Sequence, residues 1–358
     1  MLHPKFSARK NALAPFPKSR ITRVKRSENA VIGVKLLRLI FEVLLVLSYA
    51  PRCANAVALP QDESNDTSLA QSPQRARASL LNDLQSGQLD EAIELGRQSV
   101  ARWPNDADIR HLLGLVFFKT RRHSLAIAEL QKAEALDESN PDTPFDLALV
   151  YLDESQYLPA ASELERSIKL RPANPLARVL LGRAYQNTNR TLQAIEEFQQ
   201  ALKMNHSVQL GHYDLGFAYA SLGRNQEAIA EYEKEIAHNP ENATVLYQLG
   251  HLLLQAGSFT SAIKYLRQAT EAEIDPPNAD AFYDLGKALS LAGDPESAVA
   301  PLERSAVLSP SDPRPHYQLA RDFEKLGKHE DAQREWQSFA ELKKAYPQTG
   351  GMASGQPQ

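Results

Sequence analysis

The chain of 358 residues contains a single cysteine, Cys53, and none of the short motifs that mark common catalytic or metal sites. It has no glycine-rich phosphate loop, no His-Glu-x-x-His sequence and no cysteine pair for zinc. Its nine histidines are scattered, which favours structural or solvated roles. We therefore expect a protein that is not an enzyme, with no catalytic residues, no metal and no cofactor. A chain nearly free of thiols suits an oxidising compartment, although low cysteine content is also common in the cytosol.

Positive charge is scarce outside the N-terminal segment. Residues 1–56 carry 11 Lys and Arg against 2 Asp and Glu, whereas the rest of the chain carries 29 against 42, a balance of −13. An acidic chain without basic clusters argues against a nucleic-acid or anionic-membrane surface. We expect neither nucleic acid nor a small-molecule substrate as the partner.

Long apolar runs are missing as well. Residues 1–56 have the order of an export signal: a basic stretch, an apolar stretch over Leu36–Ala50 and the small-x-small sequence Ala54–Ala56. Two charges interrupt the apolar stretch and leave only Val43–Tyr49, which is too short to span a bilayer. We expect an exported protein, periplasmic or secreted; the alternative is a membrane anchor formed by an uncleaved leader.

One pattern recurs about every 34 residues along most of the chain. A leucine is followed directly by glycine or alanine, three residues later by a large apolar residue, and nine residues after that by an alanine. A leucine or an aromatic residue comes four positions beyond the alanine. The leucines that begin these occurrences are Leu113, Leu147, Leu181, Leu215, Leu249, Leu285 and Leu319. Such a period indicates a stack of similar small units, whose function lies on a surface rather than in a pocket.

This pattern resembles the tetratricopeptide repeat family over residues 73–346, with one insertion of two residues near Pro276. The resemblance implies an all-α fold, an α-solenoid of about eight 34-residue helix-turn-helix repeats that forms a right-handed superhelix with a concave groove. We place a flexible linker at 57–72 and a disordered tail at 347–358, both from their polar composition. The repeats are placed at 73–106, 107–140, 141–174, 175–208, 209–242, 243–278, 279–312 and 313–346.

Residues 209–242 show the physical basis of one repeat. Gly216 and Ala228 lack bulk, so the two helix backbones can approach each other where these residues meet. Residues 221–225 break the helical pattern, and Gly223 supplies the tight turn. We expect a large side chain at the equivalent Gly250 or Ala262 to overpack the contact. Glu235 stands where the pattern has alanine, and we interpret it as a tolerated surface charge.

The two terminal repeats depart from the pattern. Residues 73–106 keep few of its positions, which suits a capping repeat with a wet outer face. At the other end Trp336 and Phe339 can share an apolar stripe. This stripe is consistent with a closing helix packed on its own repeat, or with an exposed edge that supports self-association.

By the resemblance, the fifth, sixth and ninth residues of each repeat point into the groove. Tyrosine rings there would supply apolar area, and Gln and Asp side chains would bond the backbone amides of an extended peptide. An alternative is that the tyrosines only pack between neighbouring helices. The Lys and Asn of the family's carboxylate clamp occur in no repeat at the required positions, which argues against binding of an acidic chaperone C-terminus. The candidate groove residues are Tyr213, Tyr247, Tyr283, Tyr317, Arg183, His251, Lys287, Arg321, Gln248 and Gln318.

The sequence thus favours a non-enzymatic scaffold, in the cell envelope or secreted, that binds a protein or an extended peptide in the groove. The alternative is a substrate-presenting or regulatory subunit of an envelope enzyme system, such as a glycosyltransferase, whose catalytic residues lie on another chain. The repeat pattern does not identify the partner, because one scaffold serves unrelated processes.

Overall fold

The computed structural model describes residues 72–208, 210–272 and 277–345, which contain sixteen α-helices and no strand. The leader, most of the predicted linker, the tail and the position of Pro276 lie outside the described residues, so predictions for them stay predictions. The chain divides into two compact units between Arg171 and Pro172.

The first unit is built from three helical hairpins. In each hairpin a first helix is followed, after a short turn, by a second helix that packs against it. The helices are α1 (Pro73–Ser86), α2 (Leu89–Arg102), α3 (Ala107–Lys119), α4 (His123–Leu136), α5 (Asp142–Asp153) and α6 (Tyr157–Leu170).

The second unit contains five hairpins of the same kind. Odd-numbered helices are the first helices of their hairpins and even-numbered helices are the second. The helices are α7 (Pro175–Asn187), α8 (Thr191–Met204), α9 (Gly211–Ser221), α10 (Asn225–His238), α11 (Ala243–Gln255), α12 (Phe259–Glu271), α13 (Ala279–Leu291), α14 (Pro295–Leu308), α15 (Pro313–Lys325) and α16 (His329–Ala345). The predicted fold class, an all-α array of helix-turn-helix repeats, is confirmed.

Most first helices begin at a side-chain cap. The Asp106 carboxylate accepts the backbone N–H of Ile109 at 3.0 Å, and the Asn174 amide oxygen accepts that of Ala177 at 3.1 Å. Asn242, Asn278 and Asp312 cap α11, α13 and α15 in the same way. Each cap satisfies an N–H that the helix leaves unbonded and contributes about 1 kcal/mol.

The turn inside a hairpin depends on one residue with a positive φ. Gly223, at φ 75°, separates α9 from α10, so the predicted break over 221–225 is confirmed. Three hairpins make the same turn without glycine, at Arg121 (φ 61°), Ser155 (φ 58°) and Asn189 (φ 63°). Side chains with a Cβ are strained in this region of backbone space.

The two helices of a hairpin meet where a small residue faces a large one. A Cβ built on Gly216 would lie 2.7 Å from Cε1 of Tyr232 and 3.2 Å from the Ala228 carbonyl oxygen. On Gly250 it would lie 2.6 Å from Cγ of Leu266. The predicted close approach is confirmed, and the residue that fills it is the leucine or aromatic four positions beyond the alanine. These second-helix residues are fully buried: Leu130, Leu164, Phe198, Tyr232, Leu266 and Leu302.

The interpretation of Glu235 as a surface charge is wrong. Its side chain lies in the core of the hairpin, and the residue is only 3% exposed. Helix α9 begins after Leu210, which has a φ of 56° and offers no side-chain cap. Oε2 of Glu235 accepts the backbone N–H of Tyr213 at 3.3 Å, and Oε1 accepts from Nδ2 of Asn239 at 2.6 Å. Glu235 therefore supplies to α9 the acceptor that Asn or Asp supplies to its neighbours.

Within the three described stretches, no helix is both long enough and apolar enough to cross a bilayer.

Candidate functional site

All ten candidate groove residues lie on first helices of the second unit. They are distributed one to three per helix: Arg183 on α7, Tyr213 on α9, Tyr247, Gln248 and His251 on α11, Tyr283 and Lys287 on α13, and Tyr317, Gln318 and Arg321 on α15.

The four candidate tyrosines differ in exposure. Tyr213 is only 5% exposed, and its ring stacks on Tyr232 with the centroids 6.0 Å apart. Tyr247 and Tyr283 are half-buried, whereas Tyr317 is 38% exposed. Tyr213 therefore packs between helices, as the alternative interpretation holds, and the three tyrosines nearer the C-terminus offer ring surface to a partner.

Cations lie over the rings of two of the more accessible tyrosines, Tyr283 and Tyr317. The guanidinium of Arg314 lies 4.7 Å and the ammonium of Lys287 5.9 Å from the ring centroid of Tyr283. The guanidinium of Arg321 lies 5.7 Å from the centroid of Tyr317. Such contacts are attractive and hold ring and cation in a fixed relation. Burial raises the pKa of the Tyr283 phenol, so its hydroxyl stays protonated and able to donate near neutral pH.

The carboxylates expected to bind peptide amides are instead bonded between repeats. Oδ2 of Asp214 accepts from Nε of Arg183 at 2.7 Å, and Oδ2 of Asp284 lies 2.6 Å from Nδ1 of His251. In both cases the basic residue belongs to the repeat before the acid. Burial raises the pKa of Asp214 to about 6, although Arg183 acts in the opposite direction. Arg183 and His251 therefore connect consecutive repeats.

The two candidate glutamines also present little surface. Gln248 and Gln318 are each 8% exposed. The Gln318 amide donates to Oδ2 of Asp322 at 3.2 Å, and Lys325 donates to Oδ1 of the same carboxylate at 3.1 Å. The hydroxyl of Ser290, on α13, also donates to this carboxylate.

Asp322 was missed by sequence reasoning, although a signal was present. It is fully buried, and it occupies the repeat position that is apolar elsewhere, as in Val150, Ala218 and Leu252. One acid at an otherwise apolar position indicates a specific polar contact in the core. The contact with Ser290 connects the last repeat to the one before it.

Two cations on these helices are left without a carboxylate. Among the residues that the structure describes, neither Lys287 nor Arg321 forms an ion pair. Arg314, by contrast, lies 2.6 Å from carboxylate oxygens of both Asp280 and Asp312. We call the surface formed by Tyr247, Tyr283, Lys287, Tyr317 and Arg321 the tyrosine–cation face.

The last helix closes this face at its C-terminal side. The ring of Tyr317 lies 5.5 Å from Trp336 and 5.3 Å from Phe339, measured between centroids. The indole N–H of Trp336 donates to Oε1 of Glu324 at 2.8 Å. Both Trp336 and Phe339 are half-buried, so the stripe predicted for α16 packs on its own repeat.

One group in the first unit has the outline of a catalytic triad. Oγ1 of Thr143 lies 3.3 Å from Nδ1 of His111, whose Nε2 lies 2.6 Å from Oδ2 of Asp146. Thr143 and His111 are each 1% exposed, so no substrate reaches the hydroxyl in this arrangement. This group connects α3 to α5, just as Arg183–Asp214 and His251–Asp284 connect consecutive first helices in the second unit. Over the described residues, no three His, Cys, Asp or Glu side chains are placed to hold a metal ion.

Comparisons with known proteins agree with this architecture. A family model described as tetratricopeptide repeat matches residues 69–141, 180–243 and 247–313, more than half of the chain, and a second such model matches 219–273. A search of curated proteins finds no match.

Several solved structures resemble the chain. The Cut9-Hcn1 hetero-tetramer of the APC/C is 18% identical at a TM-score of 0.50, over 70% of this chain and 49% of that one. A tetratricopeptide repeat protein from Parabacteroides merdae is 14% identical at a TM-score of 0.50, over 70% of this chain and 99% of its own. These two similarities show the fold. A crystal structure of MamA is 27% identical over 45% of this chain and 94% of that chain, at a TM-score of 0.44.

Proposed function

The chain belongs to the tetratricopeptide repeat family of interaction scaffolds, and on that premise we propose that it binds an extended segment of a partner protein along the tyrosine–cation face. One observation carries the proposal: three consecutive repeats present accessible tyrosine rings at the same position, whereas most other polar groups on their first helices are bonded within the protein.

The spacing of the rings suits an extended chain. Tyr247, Tyr283 and Tyr317 lie on α11, α13 and α15, which follow one another as first helices of adjacent hairpins. Packed helices lie about 8–10 Å apart. An extended peptide advances about 3.3 Å per residue, so it would pass one ring about every three residues. Tyrosine contributes a large apolar area with few rotatable bonds, which suits this kind of contact.

We also propose that the protein acts outside the cytoplasm, in the periplasm or as a secreted protein. The order of the basic stretch, the apolar stretch and Ala54–Ala56 supports this location. N-terminal sequencing of the protein recovered from cell fractions tests it. A mature chain that starts near Val57 agrees with the proposal, whereas an intact N-terminus on protein found only in the cytosol contradicts it.

The binding proposal is tested by selecting peptides of random sequence on the purified protein and measuring their affinities by fluorescence anisotropy. The variant Tyr247→Ala with Tyr283→Ala should bind the selected peptides about 10- to 100-fold more weakly, because two anchoring rings are lost.

The matched control is Tyr157→Ala with Tyr265→Ala, since both residues are half-buried tyrosines on second helices. This control should keep the affinity of the unmodified protein. Unchanged affinity in a folded Tyr247→Ala, Tyr283→Ala variant, with folding checked by circular dichroism, would remove the face as the binding site.

A further inference from the structure

We infer that the segment bound on the tyrosine–cation face carries carboxylates, with Lys287 and Arg321 as the groups that receive them. This inference rests on the proposed function and adds the chemistry of the partner to it.

The first observation is the balance of charge on the three helices behind the face. Helix α11 has no acid. On α13, Asp280 is paired with Arg314 and Asp284 with His251. On α15, the buried Asp322 is paired with Lys325, and Glu324 accepts the indole N–H of Trp336. Each of these acids thus has a hydrogen-bond donor within the protein, whereas Lys287 and Arg321 have no carboxylate partner among the described residues.

The second observation is the position of the unpaired cations. Lys287 follows Tyr283 by four residues, and Arg321 follows Tyr317 by four, so each cation lies one helical turn from its ring on the same side of the helix. Arg321 is exposed and Lys287 is half-buried. A ligand that reaches the rings therefore also reaches both cations.

The spacing of the two cations predicts a spacing in the ligand. They occupy equivalent positions on neighbouring first helices, which pack at about 8–10 Å. In a polyproline II conformation, side chains three residues apart point the same way and are separated by about 9 Å. The expected recognition element is therefore an extended acidic-x-x-acidic segment. This element differs from an acidic chaperone C-terminus, because no repeat has the Lys and Asn that bind a terminal carboxylate in the family's carboxylate clamp.

A peptide fits this surface better than a polyanion does. Beyond residue 56 the chain carries 29 basic against 42 acidic residues, so a net repulsion acts on any anion and is larger for a nucleic acid than for a peptide with two carboxylates. The unpaired positive charge is local, and it lies beside aromatic rings that also attract apolar side chains.

The test compares two libraries of short peptides. One has Glu at two positions three residues apart, the other has Gln at both, and the remaining positions are varied identically. Binding is measured at low salt. The Glu library should give ligands that bind about tenfold more tightly or better than their Gln counterparts, as charge-assisted hydrogen bonds require. In the variant Lys287→Gln with Arg321→Gln, this preference should disappear.

The matched control is Lys264→Gln with Arg304→Gln, which removes two exposed cations from the second helices α12 and α14. Its net charge equals that of the test variant, so it should keep the preference for Glu.

Each remaining outcome separates the two proposals. If Glu and Gln peptides bind equally and lose affinity in the Tyr247→Ala, Tyr283→Ala variant, the inference is overturned and the proposed function stands. If neither library yields a ligand that depends on these tyrosines, both are overturned. If a single-stranded oligonucleotide displaces the Glu peptides at lower concentration than the peptides themselves, the face is a phosphate-binding surface and the inference is wrong.

Discussion

Single buried polar residues in this protein are stabilised by partners from elsewhere in the fold. Glu235 caps a helix of its own repeat, and Asp284 and Asp322 bond to the preceding repeat. One exception among the described residues is the phenol of Tyr232. Its side chain is fully buried, and the hydroxyl has no hydrogen-bond partner in the part of the chain that the structure describes. A buried hydroxyl without a partner costs about 1–3 kcal/mol.

The variant Tyr232→Phe should therefore be more stable than the unmodified protein by about 1 kcal/mol, because it removes that cost and keeps the ring. Phe198 already occupies the equivalent position of another repeat. Chemical denaturation followed by circular dichroism measures the difference.

The control for this change is Tyr219→Phe. The hydroxyl of Tyr219 accepts from Nε2 of Gln199 at 2.9 Å, so its removal should lower stability. A loss of stability in both variants would mean that the Tyr232 hydroxyl does have a stabilising partner.

At this scale the sequence predicted contacts that repeat and missed contacts that occur once. The meeting of Gly216 with the second helix follows from a pattern present in most repeats. The partners of Glu235 and Asp322 do not follow from the pattern, because a single unusual residue does not indicate which atoms surround its side chain. The sequence also placed Tyr213 and Tyr317 at the same repeat position, yet their exposure differs: Tyr213 is 5% exposed against Tyr232, whereas Tyr317 is 38% exposed although Trp336 and Phe339 contact its ring.

At the scale of the helices, the repeats differ in the turns that join the two helices of a hairpin, where three of them have a residue other than glycine at positive φ. The hairpin α5–α6 turns at Ser155 with a φ of 58°, where α9–α10 turns at Gly223. The break between helices could be read from the sequence at Gly223, because glycine marks it. At Ser155 the same backbone shape is imposed by the packing of the two helices, which no local residue indicates.

The variant Ser155→Gly should be more stable by about 0.5–1 kcal/mol, because glycine adopts this φ without the steric penalty and only part of the gain is lost to chain entropy. The midpoint of chemical denaturation measures it. The reverse change, Gly223→Ser, should lower stability by a similar amount, and a gain from that change would contradict the argument.

The contact between paired helices gives a second prediction at this scale. Gly250→Ala should destabilise the protein by about 1–3 kcal/mol through overpacking against Leu266. Helix propensity alone would favour alanine by about 1 kcal/mol, so the sign of the effect separates the two causes. Thermal denaturation is the measurement.

A second variant serves as its control. Adding Leu266→Ala to Gly250→Ala should cost less than the sum of the two single changes, because the smaller side chain makes room for the new methyl group. Strict additivity would contradict the proposed contact.

For the whole molecule, the candidate surface is confined to the second unit. In the first unit several of the equivalent first-helix positions hold buried apolar residues, such as Leu115, Phe145 and Leu149. The number and order of helices could be predicted, because the period continues along the chain. The division between Arg171 and Pro172 could not, because the period passes through it unchanged.

The polar contacts that join some consecutive repeats, such as that of His251 with Asp284, also limit how such a protein can be shortened or lengthened. Removal of residues 243–278 would bring Asp284 next to a repeat that has Phe217, rather than His251, at its ninth position. A buried carboxylate would then face an aromatic ring, and we expect this shortened chain to be less stable than one that also carries Asp284→Leu, as denaturation of the two would show. During evolution, gain or loss of a whole repeat therefore preserves stability where a buried acid at the new junction contacts a hydrogen-bond donor on the neighbouring repeat.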